Sequence, residues 1–394
     1  MTGSARTNRP MFFLIEGGPT YRLEQRAGLV REHSPLIVRR ALFSILLTWV
    51  PLLVLSALQD NAIGDRVAIP FLRDFASYTR FLFALPLLLV AESVLGPQIA
   101  RAAAHFVHSG LVIEEDYGRF DSAVEKGLRW RDSALAEFLL LALAYCVAYT
   151  TLNSLAVQSS TWYVTHTGAT HSLTMAGRWF AFFCVPFMQF ILLRWLWRMF
   201  LWGQFLWRMS KLNLQLIPTH PDEAGGLGFS GEAHRFFSVI LFAYSVGAAG
   251  VLANNIVYDK IPLSHFAPLI GAYVIVAVLI FLLPLCVFTP ILVQTKRTGL
   301  YKYGSLATEY TSSFQKKWIE TQPPREEALL GSGDIQSLAD LGNSFSFIEK
   351  MGILPTDHRT PIAFAAACLI PMMPLLLTMM PLGELLGMLL KLVL

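Results

Sequence analysis

Seven apolar runs set the range of folds open to this chain, because each is long enough to cross a lipid bilayer as a helix. A hydrocarbon core about 30 Å thick needs about 20 mostly apolar helical residues. Runs of this kind occupy residues 37–58, 75–95, 133–156, 178–207, 236–257, 267–293 and 361–381. Hydrophobic residues make up 54% of the chain and charged residues 15%, far from the usual balance in soluble domains. We therefore predict an all-α, polytopic helical membrane protein with about seven transmembrane helices.

The runs divide the chain into segments with different expected environments. In order, we predict a cytoplasmic N-terminal segment (1–36), a first transmembrane half of four spans (37–211) with a cytoplasmic loop at 96–132, a second cytoplasmic loop (212–235), the fifth and sixth spans (236–293), a cytoplasmic helical segment (294–360), and a seventh span with a short C-terminal helix (361–394). The last apolar piece, 382–394, is too short to cross a bilayer, so we expect it to lie in the interface.

Lysine and arginine are distributed unevenly between the two sides that these spans define. The segments 1–40, 96–132, 208–235 and 294–360 hold 23 of them, whereas the alternate segments hold 4. Because cytoplasmic loops are enriched in these residues, we predict a cytoplasmic N-terminus and an external C-terminus. The net charge of +4 is small, and no segment resembles an RNA- or DNA-binding module, so no nucleic-acid partner is predicted.

The loop between the fourth and fifth runs contains HPDEAGGLGF, residues 220–229, the least lipid-like stretch between two apolar halves. Its candidate site residues are His220, Asp222, Glu223, Gly225, Gly226, Gly228 and the nearby His234. Three glycines within four positions permit left-handed backbone or close approach of a ligand to the main chain. Ser230, followed by Glu232, has the pattern of a helix cap, so we expect the loop to lead directly into the fifth span.

Three functional interpretations of this loop compete with a structural one. A phosphate cradle would use amides at a helix N-terminus, although the GK[ST] ending of a Walker loop is missing. A metal site would use His220, Asp222 and His234, at a spacing that matches no strong pattern. The HPD triplet also occurs in J-domain cochaperones, but here it follows a Trp-rich apolar helix and is discounted. The structural interpretation is a rigid turn whose side chains satisfy their own backbone.

Three arginines inside or at the edge of apolar runs are candidate pore or anion contacts: Arg80, Arg194 and Arg198. Arg194 and Arg198 lie in a Trp-rich stretch near the predicted cytoplasmic surface, where they would anchor the helix in the interface or bind an anion or lipid headgroup. Arg80 lies inside the second span and must face protein or water instead of acyl chains. We expect it either to have a structural partner or to line a pore.

Metal and cofactor chemistry has little support in the sequence. His105 and His108 have a three-residue spacing that can hold a metal on a helix, but solvated charge is the commoner outcome for such clusters. The four cysteines, at positions 146, 184, 286 and 368, fall in separate apolar runs without a C-x-x-C pair, which is typical of small buried hydrophobic residues. No cofactor is predicted.

The depth of the charged residues and the positions of the prolines bear on transport. No carboxylate falls near the middle of any predicted span, since Glu92 and Glu137 both lie toward cytoplasmic ends. Transporters coupled to ions usually keep an ionisable or broken-helix site at the midplane, so proton or sodium coupling is not favoured.

Prolines fall within spans at positions 51, 86, 186, 284, 290, 371 and 374, and each permits a kink.

The segment 294–360 is predicted to contain two helices. Apolar residues recur at helical spacing from Leu300 to Trp318, so the sixth span is expected to continue well past the bilayer. After a break at TQPPREEALLGSG, a second helix starts near Asp334, which we predict as its cap. Its apolar side, Ile335, Leu338, Leu341, Phe345 and Ile348, is expected to pack on the first helix or on a neighbouring subunit.

The segments HPDEAGGLGF and DIQSLADLGNSF, with the closing PLLLTMMPLGELL, resemble those of a family of bacterial multi-pass membrane proteins with no assigned activity. The resemblance spans most of the second half of the chain. It implies location in a bacterial inner membrane and implies no activity, and no functional residue is transferred from it.

The leading functional hypothesis is an oligomeric channel or passive pathway for a solute or ion. Kinked apolar spans, the lack of a coupling carboxylate, and a few basic intramembrane charges favour such a pore with a preference for anions. The expected partners are membrane lipids and further copies of the chain.

Two other classes remain open. The first is a membrane-embedded enzyme whose cytoplasmic site uses His220 and Asp222, with His105, His108 or His234, provided that these side chains converge. The second is a regulatory or scaffolding protein that recruits a cytoplasmic protein through residues 294–360.

Overall fold

The computed structural model describes residues 11–31, 34–155, 161–167, 170–320 and 332–379. In the first half the helices are α1 (Gly18–Arg26), α2 (Ile37–Leu47), α3 (Trp49–Leu58), α4 (Phe75–Tyr78), α5 (Leu85–His108), α6 (Tyr117–Arg131), α7 (Ala134–Leu155), α8 (Met175–Trp179) and α9 (Val185–Met209). The second half contains α10 (Gly228–Arg235), α11 (Ser238–Val257), α12 (Leu263–Leu282), α13 (Thr289–Gln315), α14 (Gly333–Lys350) and α15 (Arg359–Leu369).

Short elements join these helices. Tight 3-10 turns occupy Phe71–Arg73, Glu114–Asp116, Leu283–Phe288 and Ile370–Thr378, and wider π turns occupy Thr79–Ala84, Phe180–Cys184 and Lys316–Glu320. The described part of the chain contains two short antiparallel strand pairs, β1 (Val30–Arg31) with β2 (Ser34–Pro35), and β3 (Val164–Thr167) with β4 (Thr170–Leu173). The second strand pair joins Val164 with Leu173.

The predicted fold class is confirmed. Within the described ranges, six helices are long and apolar enough to cross a membrane: Ile37–Leu58, Phe75–His108, Met175–Met209, Gly228–Val257, Leu263–Glu320 and Arg359–Thr378. A seventh is obtained if the bent pair Glu114–Arg131 and Ala134–Thr150, which meets at 47°, counts as one span. The predicted sixth span is one helix of 58 residues, Leu263–Glu320, which includes the 3-10 turn Leu283–Phe288 and the π turn Lys316–Glu320. Its length is about 85 Å at the rise of an α-helix. The C-terminal piece 382–394 lies outside the described residues.

The second and fourth spans begin in the same way. Each starts with a capped turn of helix, because Asp74 accepts a hydrogen bond from the amide of Ala76 and Thr174 accepts one from Gly177. Each then widens into a π turn that ends just before a proline, at Pro86 or Pro186. A π turn accommodates one residue more than an α-helical turn. Proline is tolerated in the first turn of the following helix because a backbone N–H there would have no acceptor within the helix.

Asp74 joins three parts of the chain at this end of the bundle. Its buried carboxylate accepts hydrogen bonds from Ser77 at 2.5 Å, from the indole of Trp162 at 2.8 Å and from the side chain of Asn254 at 2.6 Å. These donors, with the amide of Ala76, satisfy the carboxylate within the protein. Asp74 is therefore a structural centre, and among the described residues no hydrogen bond or ion pair joins it to Arg80.

Two predicted helix caps are wrong. Leu227 takes the cap position before α10, and the Ser230 hydroxyl donates to the carbonyl of Leu227 from inside the helix. At α14 the hydroxyl of Ser332 accepts from the amide of Asp334. Asp334 itself lies within the first turn, where its carboxylate accepts from Lys317 and from the indole of Trp318, both at 2.9 Å. Its side chain thus joins the two helices.

Helix α14 folds back on α13, as one of the two predicted arrangements requires. Leu338, Leu341, Phe345 and Ile348 are all half-buried or buried, whereas Ile335 is exposed. At the base of the hairpin the Lys296 ammonium donates to the carbonyls of Glu349 at 2.8 Å and Met351 at 2.7 Å. These contacts hold the hairpin to the segment that follows α14.

We expect the contacts of Asp334 with Lys317 and Trp318 to weaken in acid. Hydrogen bonds from Lys317 and Trp318 lower the pKa of Asp334 from its ordinary value of 3.8. A carboxyl whose pKa is lowered by folding contributes stability above its unfolded pKa, and this is lost as the pH falls through the folded value. The indole NMR signal of Trp318, identified by its loss in Trp318→Phe, should therefore titrate with a midpoint below 3.8. It should not titrate in Asp334→Asn. A wild-type midpoint at or above 3.8 would contradict this role.

Candidate functional site

The glycine loop, residues 220–229, is organised around the carboxylate of Asp222. One oxygen accepts hydrogen bonds from the amides of Ala224 at 2.9 Å and Gly226 at 3.1 Å, and the other accepts from Gly228 at 2.8 Å. Asp and Asn side chains commonly bond to backbone amides a few residues later in turns. The amides that would form a phosphate cradle are thus engaged by Asp222, in agreement with the structural interpretation of this loop.

The loop needs glycine at specific positions. Gly225 and Gly226 have φ angles of 66° and 98°, in the region where a side chain is strained. At Gly228 a Cβ would lie 3.0 Å from the side chain of Asp222, so a larger residue would push the carboxylate from its amides. Glu223 also has a positive φ of 53°. Its side chain is exposed, and its carbonyl accepts a hydrogen bond from Gly352 at 2.8 Å.

His220 forms a close pair with Asp222. The distance from its Nδ1 to an Asp222 oxygen is 2.7 Å. The backbone amide of Asp222 also approaches Nδ1, at 3.3 Å. We assign the proton to Nδ1 because an unprotonated nitrogen would be repelled by a carboxylate oxygen at 2.7 Å, and this contact is the shorter of the two. The other ring nitrogen, Nε2, is then an acceptor. The imidazole is 42% exposed, so it is open to a bound molecule.

His220 and Asp222 lie on the wall of a cavity of about 440 Å³, which we call the loop pocket. Its polar wall residues are His105, Ser109, Gln215, His220, Asp222, Glu232, Thr356 and Asp357, and its loop glycines are Gly225, Gly226 and Gly228. The pocket therefore draws on α5, the glycine loop, α10 and the segment before α15. The edge of the His105 ring meets the ring of Phe229, with centroids 4.5 Å apart.

Among the residues that the structure describes, no lysine or arginine lines the loop pocket. Asp357 has a loose partner in Arg359 at 3.5 Å, and Glu232 has one in Arg235 at 4.0 Å. Neither arginine lines the cavity. The wall thus presents carboxylates and imidazoles to a bound molecule, and it lacks the cationic side chains that usually bind phosphate or carboxylate groups.

The other candidate histidines do not join this pocket. His234 is fully buried, with Nε2 against the carbonyl of Phe281 and its ring beside Phe237 and Phe364. His108 is exposed and is not a wall residue. Among the residues that the structure describes, no group of three or more His, Cys, Asp and Glu side chains is arranged to hold a metal ion.

A second polar assembly lies among the helices and consists of Glu24, Arg40, Glu92, Glu137, Arg194 and Arg198; we call it the charge cluster. Glu92 is its centre: it accepts from Arg198 at 2.6 Å, contacts Arg40, and lies 3.9 Å from Arg194. Glu24 lies 2.7 Å from Arg40 and 3.5 Å from Arg194. Three acids therefore face three bases, and Arg40, Glu92, Arg194 and Arg198 are each only 4% exposed.

The charge cluster also docks the N-terminal helix α1. Glu137 accepts hydrogen bonds from the Thr20 amide at 2.8 Å and from its hydroxyl at 2.6 Å, and Arg194 lies 4.0 Å from Glu137. Burial, followed by repulsion from Glu92, raises the pKa of Glu24, although the three arginines oppose this shift. Carboxylates of the protein itself thus already contact the guanidinium groups of Arg194 and Arg198, the two residues predicted to contact an anion.

Sequence reasoning missed four members of this cluster. Glu24 belongs to the predicted cytoplasmic N-terminal segment and Arg40 to the start of the first predicted span, and the sequence pattern singles out neither of them. Glu92 and Glu137 attract attention in the sequence only for their depth. The available signal was the presence of opposite charges in or beside apolar runs, since a charge in such a place needs a partner. Arg80, the remaining candidate, lines a separate cavity between the second, fourth and fifth spans.

Comparisons of the chain with known protein families, with curated proteins and with solved structures found no match.

Proposed function

We propose that the protein is a membrane-embedded enzyme in which His220 acts as a general base in the loop pocket. One observation carries the proposal: an imidazole paired at 2.7 Å with Asp222 lies on the wall of a cavity of about 440 Å³. A base can remove a proton only if it is held in position and can be reached by the substrate. Both conditions are met by His220.

Asp222 would act as a positioning residue for this base. Three backbone amides fix its carboxylate, so the side chain that orients the imidazole is itself immobilised. The carboxylate also stabilises the imidazolium that forms when Nε2 takes up a proton. The loop therefore supplies an oriented base without requiring a metal or cofactor in the proton-transfer step.

The wall chemistry favours a neutral or cationic polar group as the substrate. Glu232 and Asp357 would repel a free phosphate or carboxylate, and no described wall side chain is a lysine or arginine. A hydroxyl group or a water molecule is the natural proton donor to His220. We therefore infer hydrolysis or group transfer at a polar group on the side of the membrane that we predict to be cytoplasmic.

The channel hypothesis has less support than the enzyme hypothesis. It relied partly on basic intramembrane charges, and two of the three arginines concerned, Arg194 and Arg198, lie within 4.0 Å of carboxylates. The enzyme hypothesis required convergence of ionisable groups on a cavity, which is found at His220. Assembly into oligomers and recruitment of a protein through residues 294–360 remain predictions.

Substrate conversion by the purified protein tests the proposal. Protein reconstituted in lipid nanodiscs would be incubated with total polar-metabolite and lipid extracts, and products would be identified by mass spectrometry. We expect His220→Gln to lower the rate of product formation by about a hundredfold or more, the usual contribution of a general base. Asp222→Asn should lower it less, because the base remains but loses its orienting partner.

His108→Gln is the matched control, since His108 is exposed on the neighbouring helix and lies outside the loop pocket. It should convert substrate at the wild-type rate. Absence of any product with the wild-type protein, or equal rates for wild type and His220→Gln, would overturn the proposal.

A further inference from the structure

Arg80 projects from the π turn Thr79–Ala84 near the start of the second span. Within the described ranges no hydrogen bond or ion pair joins its guanidinium to another residue, although Asp74 and Tyr163 lie close enough to interact with it electrostatically. The nearest acid, Asp74, is already satisfied by Ala76, Ser77, Trp162 and Asn254. A guanidinium group has five N–H donors and remains charged in proteins, so a partly buried arginine without a protein acceptor calls for one from outside.

Arg80 lines a cavity of about 200 Å³. Most of the wall is apolar: Phe81, Phe180, Val185, Met188, Leu192 and Val251. The hydroxyl of Tyr244 is committed to the carbonyl of Leu192 at 3.0 Å. Gln189 therefore supplies the other polar side chain that is free for a ligand, since its amide has no hydrogen bond to a described residue.

Small residues of the fifth span create this space. A Cβ on Gly247 would lie 4.0 Å from the Cγ of Arg80, so a larger side chain would extend into the cavity beside the arginine. One turn later, a Cβ on Gly250 would lie 1.9 Å from the hydroxyl of Thr79. Gly250 thus permits close helix contact, whereas Gly247 keeps the cavity open.

The depth of Arg80 matches the polar edge of a bilayer. It follows Asp74, the cap of the span, by six residues, which is about 9 Å along a helix, and an arginine side chain can reach back toward the interface. Trp162 and Tyr163 lie at this end, beside Phe180, and Trp and Tyr are typical of membrane interfaces.

We propose that this cavity binds the headgroup phosphate of a phospholipid, with one acyl chain against its apolar wall. No carboxylate of the described part of the chain lines the cavity, and arginine is well suited to hold a phosphate through paired hydrogen bonds. A volume of about 200 Å³ is below the range for a whole drug-sized ligand. It accommodates part of a lipid whose remainder stays in the bilayer.

Native mass spectrometry of the detergent-solubilised protein tests this site. Delipidated protein would be titrated with phosphatidylglycerol, with diacylglycerol, which lacks the phosphate, and with oleate, whose carboxylate offers a different anion. We expect one phosphatidylglycerol to bind with an affinity that falls about tenfold in Arg80→Gln, as expected for loss of a hydrogen bond to a charged group. Diacylglycerol should bind the wild type no better than it binds Arg80→Gln.

Arg178→Gln is the matched control. Arg178 occupies the start of the fourth span and is exposed, so its loss should leave phosphatidylglycerol binding unchanged. Gly247→Leu is a second probe, since it fills the cavity while retaining Arg80 and should also weaken binding about tenfold.

Three results would overturn the site. Equal phosphatidylglycerol binding by wild type, Arg80→Gln and Gly247→Leu would show that the cavity does not hold the lipid. An equal loss in Arg178→Gln would indicate general surface attraction. Binding of oleate in place of phosphatidylglycerol would assign the cavity to a fatty acid. None of these results bears on His220, so the two proposals fail independently.

Discussion

Replacing Glu92 by glutamine should destabilise the protein by about 3–5 kcal/mol, the usual cost of removing one partner from a buried ion pair. Glu92 contacts or closely approaches Arg40, Arg194 and Arg198. Without its charge, the three arginines face only Glu24 and Glu137. The resulting excess positive charge would be buried, because each arginine is only 4% exposed.

Equilibrium unfolding in mixed micelles of detergent and dodecyl sulfate measures this cost. Asp60→Asn is the control, because the Asp60–Arg66 pair at 3.5 Å is exposed on both sides and should contribute less than about 1 kcal/mol. In a double-mutant cycle, the combined cost of Glu92→Gln and Arg198→Gln should be smaller than the sum of the single costs by about 0.5–3 kcal/mol. A Glu92→Gln cost as small as that of Asp60→Asn would contradict the role of Glu92.

Changing Asp222 to alanine should release the glycine loop from its folded form. The carboxylate accepts from the amides of Ala224, Gly226 and Gly228, and hydrogen bonds to charged groups contribute about 1.5–3 kcal/mol each. These contributions are not additive, so we expect a local loss of about 3 kcal/mol. That loss corresponds to about a hundredfold faster hydrogen exchange at these amides.

Hydrogen–deuterium exchange of peptides covering residues 220–229 measures this release. Glu223→Gln is the matched control, because the loop uses the backbone carbonyl of Glu223 and leaves its side chain exposed. Its exchange rates should equal those of the wild type. Unchanged exchange in Asp222→Ala would show that the loop is held by other contacts, and Asp222 would then lose its place as the support for His220.

The sequence was sufficient where the physical cause is local. Apolar length predicts the spans, since a bilayer imposes a minimum length of apolar helix. The rigid-turn interpretation of the glycine loop was also within reach, because Asp222 bonds to amides only two, four and six residues later. One apolar helical side and a break before it predicted that α14 packs either on α13 or on a neighbouring subunit, and the first of these arrangements is observed.

Partners distant in the chain could not be predicted. Arg40 and Glu92 are 52 positions apart, and Arg198 and Glu92 are 106 apart, so nothing in the local pattern identifies them as neighbours. The same limit applies to the loop pocket, where His105 and Asp357 come from opposite parts of the chain. Ser230 failed as a predicted cap because the turn set by Asp222 starts the helix three residues earlier than predicted, at Gly228 after the cap Leu227.

The wide turn at Thr79–Ala84 has a geometric consequence for the whole second span. Successive α-helical residues are rotated by about 100° around the axis, so one surplus residue turns everything after it by that angle. Asp74 precedes the surplus residue and Glu92 follows it, and each must point at a fixed set of donors. Deleting a single residue between them would leave Asp74 in place and swing Glu92 away from its three arginines. The π turn thus keeps both Asp74 and Glu92, at the two ends of this helix, directed at their hydrogen-bond donors.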